Sequence, residues 1–150
     1  MDLLPTFARL AGAEVPRDRI IDGRDIWPLL SGQPGAKSPH EAFFYYYLEQ
    51  LQAVRSGKWK LYLPLAKKWT SFRGQTQPSP ARLYDLEADL GETTNLAEKH
   101  PEIVRRLTGY AERARNDLGD LGRPGKNQRP AGMVDDPKPR VLPAGRKTGA

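Results

Sequence analysis

The sequence predicts an α+β fold in which a four-stranded, mainly antiparallel sheet packs against a carboxyl-terminal helix. Two observations support this prediction. Short runs rich in β-branched and aromatic residues alternate with turn signals between residues 42 and 86, and apolar residues recur at helical spacing between residues 101 and 118. A chain of 150 residues is long enough for one compact domain. We expect a helical segment before the sheet and a basic tail after the helix.

The first predicted element is a helix over residues 2–12. Asp2 can cap this helix, Pro5 falls in its first turn and Gly12 ends it. Its apolar face consists of Leu3, Phe7, Leu10 and Ala11. A second, short helix is predicted over residues 25–30. No strand precedes these helices, so we expect residues 1–36 to be the end of a larger fold and the apolar face to be exposed in isolation.

The sheet is predicted from an aromatic strand at residues 42–48, a hairpin at residues 51–64 and a strand at residues 81–86. Ser56 and Gly57 are the predicted turn pair of the hairpin. After the turn, an apolar face alternates with a cationic and amphipathic face. The apolar face holds Trp59, Leu61 and Leu63, and the other face holds Lys58, Lys60 and Tyr62. Residues 67–80 are predicted to form a loop, with Trp69 and Phe72 packed inward.

The longest predicted helix follows His100, which we expect to cap it, and has Pro101 in its first position. Its apolar positions are Ile103, Leu107, Tyr110, Ala114 and Leu118. We place the sheet and this helix in one subdomain, residues 37–120. The remaining residues, 121–150, are rich in glycine, proline, lysine and arginine and have little apolar periodicity, so we expect them to be mostly disordered.

Composition excludes several kinds of chemistry. The chain has no cysteine, so disulfides, thiol nucleophiles and thiolate metal sites are absent. The formal charge is +6, but many of the basic residues are spread through the tail rather than clustered on one helix face, so nucleic acid is not an expected partner. The acidic stretch 85–89 lacks the glycine and the final glutamate of a calcium loop. His40 is interpreted as a loop residue.

The cationic face of the hairpin leaves two interpretations open. Lys58 and Lys60, together with Arg55 across the turn, could meet an anionic group of a substrate. Charges that flank a hairpin are also commonly a solvated surface. The spacing of the residues does not separate the two.

Five motifs together resemble the carboxyl end of type I, arylsulfatase-class sulfatases of the alkaline-phosphatase-like superfamily. They are Asp2-Leu-Leu-Pro-Thr, Gly23-Arg-Asp-Ile-Trp-Pro-Leu-Leu-Ser-Gly32, Ala53-Val-Arg-Ser-Gly-Lys-Trp-Lys-Leu61, Leu83-Tyr-Asp-Leu86 and Glu92-Thr-Thr-Asn-Leu-Ala97. Their order and spacing make the set specific. Leu90 departs from the family pattern, which often has proline at that position.

The resemblance implies a sulfuric ester hydrolase whose formylglycine nucleophile arises from a C/S-x-P-x-R motif and whose calcium ion is held by Asp and Asn. That motif is not found in this sequence, because Pro80 follows Ser79 directly in the nearest candidate. No catalytic residue, metal ligand or cofactor is therefore assigned to this chain. The resemblance also implies that residues 1–36 end a catalytic domain, which would be the partner of the remaining chain, and that Lys60 and Tyr62 border the substrate cleft. The implied substrate is a sulfated small molecule or sugar.

Two alternatives remain. One is a non-catalytic α+β module that binds an acidic polymer through its basic tail, and the other is part of a related phosphoester hydrolase. Members of the resembled family are commonly periplasmic or secreted, but no signal peptide or membrane span is apparent in the sequence, so the compartment is not assigned.

Overall fold

The computed structural model describes residues 1–66, 78–129 and 134–138, together with the backbone of residues 68–70 and 74–76. The main sheet has four strands in the spatial order β1-β2-β3-β6, and every neighbouring pair is antiparallel. Its strands are β1 (Phe43–Tyr47), β2 (Gln50–Ser56), β3 (Trp59–Tyr62) and β6 (Arg82–Asp85). Helix α3 (Pro101–Leu118) packs on β2 and β3. The predicted α+β fold is confirmed.

The hairpin between β2 and β3 differs from its prediction by one residue. Ser56 pairs with Trp59, so the two loop residues are Gly57 and Lys58 rather than Ser56 and Gly57. Gly57 has φ of +57°, a conformation that glycine adopts without a Cβ clash. With this register, Leu61 and Leu63 of the predicted apolar face point into the core, where each is at most 1% exposed.

The core lies between the sheet and α3. Leucines from three strands and the helix fill it because side chains on a strand alternate between faces, whereas those on a helix share a face every three or four residues. Its buried members are Leu51, Val54, Leu61, Leu63, Leu83, Leu107, Ala111 and Ala114. Of the predicted apolar positions of α3, Leu107 and Ala114 are buried, while Ile103 and Tyr110 pack at the edge of the core.

The segment predicted as a loop at residues 67–80 contains a second hairpin. Strand β4 (Lys68–Thr70) pairs with β5 (Gly74–Thr76), so the prediction of a loop was wrong for these residues. The run Gly74-Gln-Thr76 has weak β-propensity by itself, and the pairing of the two strands supplies the backbone hydrogen bonds that propensity does not predict. The side chains of Trp69 and Phe72, predicted to pack inward, lie outside the described residues.

The amino-terminal segment forms α1 (Leu3–Leu10) and α2 (Trp27–Leu30). Asp2 does not cap α1 through its side chain, contrary to the prediction. Its carboxylate instead accepts hydrogen bonds from the backbone N–H of Arg24 at 2.9 Å and from the His40 ring at 2.8 Å. Thr6 is the buried residue of α1, and its hydroxyl accepts a hydrogen bond from the N–H of Ile26. The helix therefore packs through Thr6, while its apolar face points outward.

The beginning of the predicted disordered tail is folded in the structure. The short strands β7 (Gly119–Asp120) and β8 (Arg123–Pro124) pair directly after α3. The N–H groups of Lys126 and Asn127 then donate to the carbonyls of Asn116 and Asp117 at the end of the helix. Residues 121–129 thus satisfy carbonyl groups that the last turn of α3 leaves without partners inside the helix.

Candidate functional site

The face of the main sheet that points away from α3 holds most of the candidate site. The strand register places two rows of side chains across this face. The first row is Phe43, Arg55, Lys60 and Tyr84, and the second is Tyr45, Ala53, Tyr62 and Arg82. We call this surface the aromatic-cationic face. It brings the two predicted site residues, Lys60 and Tyr62, together with three further aromatic rings and two arginines.

Lys60 is enclosed on the aromatic-cationic face, with its side chain only 14% exposed. Its ammonium group lies 2.6 Å from Oε1 of Glu92 and within 5 Å of the ring centroids of Tyr45 and Tyr62. Burial disfavours the charged form of Lys60, but hydrogen bonds to Glu92 and Tyr62 outweigh it and raise the pKa of Lys60. Lys60 therefore stays protonated at neutral pH.

Glu92, the ion-pair partner of Lys60, was not identified as a site residue from the sequence. It lies 32 positions from Lys60 and has φ of +55°, which is uncommon for a residue other than glycine. Burial raises the pKa of Glu92, and the hydrogen bonds of Lys60 and Tyr62 lower it by more, so its carboxylate is held ionised. In the sequence, Glu92 stood out only as part of the Glu92–Ala97 motif. That motif does not indicate which strand the Glu92 side chain faces.

Lys58 is also paired. Its ammonium group lies 2.6 Å from Oδ2 of Asp85, and the backbone N–H groups of Glu87 and Ala88 donate to Oδ1 of the same carboxylate. The hydrogen bond from Lys58, followed by those from the backbone, lowers the pKa of Asp85. Both lysines are therefore paired within the chain, but Lys58 remains 40% exposed, so the interpretation as a solvated face fails only for the enclosed Lys60.

The aspartates of the acidic stretch 85–89 accept hydrogen bonds from neighbouring backbone N–H groups. Asp85 bonds as described above, and Asp89 accepts hydrogen bonds from the N–H groups of Thr93 and Thr94, both at 2.8 Å. Across the described part of the chain, no three histidine or acidic side chains are grouped so that they could hold a metal ion.

A cavity of about 670 Å³ opens where the amino-terminal segment meets the hairpin. The amino-terminal side of its wall includes Asp2, Ser38, His40 and Glu41, and the sheet side includes Phe43, Tyr45, Arg55 and Lys58. We call it the junction cavity. It shares Tyr45 with the surroundings of Lys60 but lies nearer the turn of the hairpin.

The two histidines have structural positions. The His40 ring bonds to Asp2 and so joins the start of α1 to the segment before β1. His100 stands at the N-cap position of α3, as predicted, but its side chain makes no capping hydrogen bond. Its ring instead lies 5.0 Å from that of Trp59, measured between centroids.

The described arginines of the tail are engaged within the chain. Arg123 contacts Glu112 at 3.2 Å, and Arg129 contacts Asp22 at 2.7 Å. These ion pairs do not favour the alternative in which the basic tail binds an acidic polymer. In the part of the chain that the structure describes, no helix combines the length and apolarity needed to cross a bilayer.

Taken together, these groups can bind and orient an anionic ring compound through cations and aromatic faces. The fold itself is shared with solved proteins, among them the following two. A protein of Bacteroides thetaiotaomicron, labelled BT33336S-sulf and connected with the metabolism of multiple glycosaminoglycans, aligns with a TM-score of 0.60 and 27% identity over 75% of this chain and 24% of its own. The fold of BT4656, solved with its substrate D-glucosamine-2-N,6-O-disulfate, matches with a TM-score of 0.51 and 22% identity over 76% of this chain and 23% of its own.

Curated proteins with similar sequences indicate the family to which this chain belongs. Rat steryl-sulfatase is 50% identical over 135 residues, which cover 74% of this chain and 23% of the relative. Human arylsulfatase A is 36% identical over 129 residues, covering 71% of this chain and 24% of the relative. Residues 38–133 match the family model for the C-terminal region of aryl-sulfatase, so the chain belongs to that family. The resemblance to the carboxyl-terminal portion of a sulfatase is confirmed, and the chain spans at most about a quarter of the curated relatives it matches.

Proposed function

We propose that this chain supports the catalytic part of a sulfatase by docking against it through the exposed face of α1 and α2. The observation that carries the proposal is the exposure of apolar side chains on these helices. Leu3, Leu4, Phe7 and Leu10 are 49–57% exposed, and Leu30 is 55% exposed. An apolar surface of this kind on a soluble domain usually marks an interface. The relatives contain the additional chain that could cover it, since they extend far beyond the matched region.

Under this proposal, residues 1–36 end the catalytic domain, and the sheet with α3 forms the supporting subdomain. The subdomain extends beyond residue 120, because residues 121–129 bond to the end of α3. The formylglycine nucleophile and the calcium ion of the complete enzyme would belong to the catalytic part. The chain by itself would then have no sulfatase activity, since the described residues offer a binding surface and no group of metal ligands.

Co-expression tests the docking proposal. Human arylsulfatase A truncated before its region of similarity would be produced alone, with this chain, and with a Phe7→Glu, Leu10→Glu variant of it. We expect neither part to hydrolyse p-nitrophenyl sulfate alone, the wild-type pair to co-purify and recover turnover, and the variant to lose both. Turnover by this chain alone, or recovery with the variant equal to that with the wild-type chain, would contradict the proposal.

We also propose that Lys60 and Tyr62 border the substrate cleft of the complete enzyme. The ammonium group of Lys60 lies 4.7 Å from the ring centroid of Tyr62, so the two present one cationic and aromatic surface. Because Glu92 neutralises Lys60, its role would be to fix the position of the Tyr62 ring rather than to bind a sulfate group directly. In the co-expressed pair, Lys60→Ala and Tyr62→Ala should raise KM for a sulfated sugar with little change in kcat. Unchanged KM would contradict this role.

A further inference from the structure

Strand β6 begins with an arginine whose hydrogen bonding is incomplete. Arg82 lies opposite Tyr62 in the strand register, and its guanidinium carbon lies 5.1 Å from the centroid of the Tyr62 ring. Its Nε is buried, yet no described residue accepts a hydrogen bond from it. Buried donors are nearly always satisfied in folded proteins, because burial removes the hydrogen bonds that water would provide. Arg82 thus has a donor for which the described chain offers no acceptor.

The carboxylates around β3 and β6 are engaged elsewhere. Glu92 is paired with Lys60, and Asp85 is paired with a lysine of the hairpin turn. The connection from β3 to β6, residues 63–81, contains three basic residues and no aspartate or glutamate. The sequence that leads into Arg82 therefore adds positive charge and cannot supply a carboxylate to balance it.

The outer part of the Arg82 guanidinium stays accessible. The two terminal nitrogens make no hydrogen bond with a described residue and, unlike Nε, are not fully buried. A guanidinium presents these donors as a planar fork that matches the two oxygens of a carboxylate. The Tyr62 ring lies against the guanidinium and helps to hold it in position.

A lone guanidinium suits a partner protein better than a dissolved anion. One accessible ion pair contributes little free energy by itself, so Arg82 alone would hold a free anion only weakly. An acidic side chain of a docked protein is brought to the guanidinium by the rest of the interface, so the two groups meet at a high effective concentration. The relatives have a long additional chain that could carry such a side chain.

From these contacts we propose that Arg82 pairs with a carboxylate of the catalytic part of a sulfatase, as a polar docking contact separate from the apolar face of α1 and α2. The proposal rests on the proposed docking function and deepens it, because it names a residue of the sheet and the chemistry of its partner. Arg82 would then strengthen the complex without stabilising the isolated chain. An arginine whose role is only structural does not combine these two properties.

Urea denaturation of the full chain tests the part of the proposal that concerns the isolated chain. Arg82→Met keeps an extended side chain and removes its donors, so we expect a urea midpoint equal to or above that of the wild-type chain. Arg115→Met is the matched control and should lower the midpoint, because Arg115 is largely enclosed and paired with Glu112 and Asp120. A fall in the midpoint of Arg82→Met as large as that of Arg115→Met would show that Arg82 has an acceptor within the chain and would overturn the proposal.

Biolayer interferometry tests the docking contact, with human arylsulfatase A truncated before its region of similarity as the immobilised partner. We expect Arg82→Met to raise Kd by about tenfold or more. Arg82→Lys should restore only part of the binding, because the charge is kept but the forked contact is lost. Arg105→Met removes an exposed arginine of α3 and should leave Kd unchanged.

The outcomes separate this proposal from the proposed function. Equal Kd for Arg82→Met and the wild-type chain would overturn this proposal and leave docking through α1 and α2 intact. If the wild-type chain did not bind the partner, the docking function would fall and this contact with it. A free anion is the other occupant to test. If sodium sulfate, compared with sodium chloride at equal ionic strength, raised the urea midpoint of the wild-type chain but not of Arg82→Met, the guanidinium would belong to a small anion and the proposal would be overturned.

Discussion

Individual ion pairs determine which charged residues of the hairpin are available to a ligand. The two lysines of the Gly57-Lys-Trp-Lys60 run have the same charge and are two positions apart, yet one meets Asp85 beside the turn and the other meets Glu92 from a distant loop. Arg55 is left without such a pair in the described part of the chain. Local pairing, more than the number of basic residues, therefore decides which of these cations can meet a ligand.

The lowered pKa of Asp85 predicts how stability depends on pH. Lys58 and two backbone N–H groups favour the ionised carboxylate, so the folded pKa lies below the unfolded value of about 3.9. This contribution is fully present once the pH is well above the unfolded pKa, and it is lost as the pH falls through the lower folded pKa. Asp85→Asn should therefore reduce the free energy of unfolding at pH 7, and its difference from the wild-type chain should narrow near pH 3.

Urea denaturation at both pH values measures this difference. Glu98→Gln is the control because Glu98 is exposed, and its small difference from the wild-type chain should be similar at both pH values. A gap between Asp85→Asn and the wild-type chain that is as large at pH 3 as at pH 7 would show that the ion pair does not stabilise the fold through the ionised carboxylate.

The sequence predicted part of this site because strand alternation is local. A period of two was enough to place Lys60 and Tyr62 on one face of β3 and Leu61 on the other. It could not indicate Glu92, since the backbone of residues 89–94 is shaped by the bonds of the Asp89 carboxylate and by the positive φ of Glu92. The junction cavity was not predicted for a similar reason. It needs the segment around His40 to be fixed to Asp2, and no periodic pattern encodes that contact.

At the level of elements, α3 and the sheet stabilise each other through one layer of leucines. Leu107 is fully buried in the centre of this layer. Leu107→Ala should lower the free energy of unfolding by about 2–5 kcal/mol, because it removes apolar contacts and leaves a cavity. Leu90→Ala removes the same atoms from a side chain that is 83% exposed, so it should change stability by less than about 0.5 kcal/mol. Chemical denaturation compares the two, and equal effects would contradict the assigned core.

The loop after α3 depends on close approach of its backbone. A Cβ atom at Gly125 would overlap backbone atoms of Asp117 and Gly119. Gly125→Ala should therefore release the loop and remove the hydrogen-exchange protection of the Lys126 and Asn127 amides. Gly109 lies inside α3 with open space around it, so Gly109→Ala should keep that protection and raise stability by up to about 1 kcal/mol. Retained protection in Gly125→Ala would show that the loop does not depend on the close approach of its backbone at residue 125.

At the scale of the whole molecule, the subdomain and the amino-terminal segment differ in how they bury apolar surface. The sheet and α3 enclose their own core, which is why hydrophobic periodicity predicted them well. Helix α1 is as strongly patterned, but its apolar residues have no counterpart among the described residues and remain about half exposed. A pattern in one sequence predicts that a helix has an apolar face, but it does not identify a covering surface that lies in another part of the protein.

The exposed face of α1 leads to a prediction about the isolated chain. Phe7 is 57% exposed, so Phe7→Glu removes little buried area and should hardly change the free energy of unfolding. The same change places a charge in the middle of the apolar face, so self-association measured by analytical ultracentrifugation should decrease. Leu90→Glu adds an equal charge at a side chain that is 83% exposed and outside this face, and it should leave self-association unchanged.

If both variants reduced self-association equally, net charge rather than the apolar face would be its cause. If Phe7→Glu unfolded the chain, the side chain would have to be buried in solution. The expected result, loss of self-association in Phe7→Glu alone with stability retained, would identify α1 as a surface that requires a covering partner.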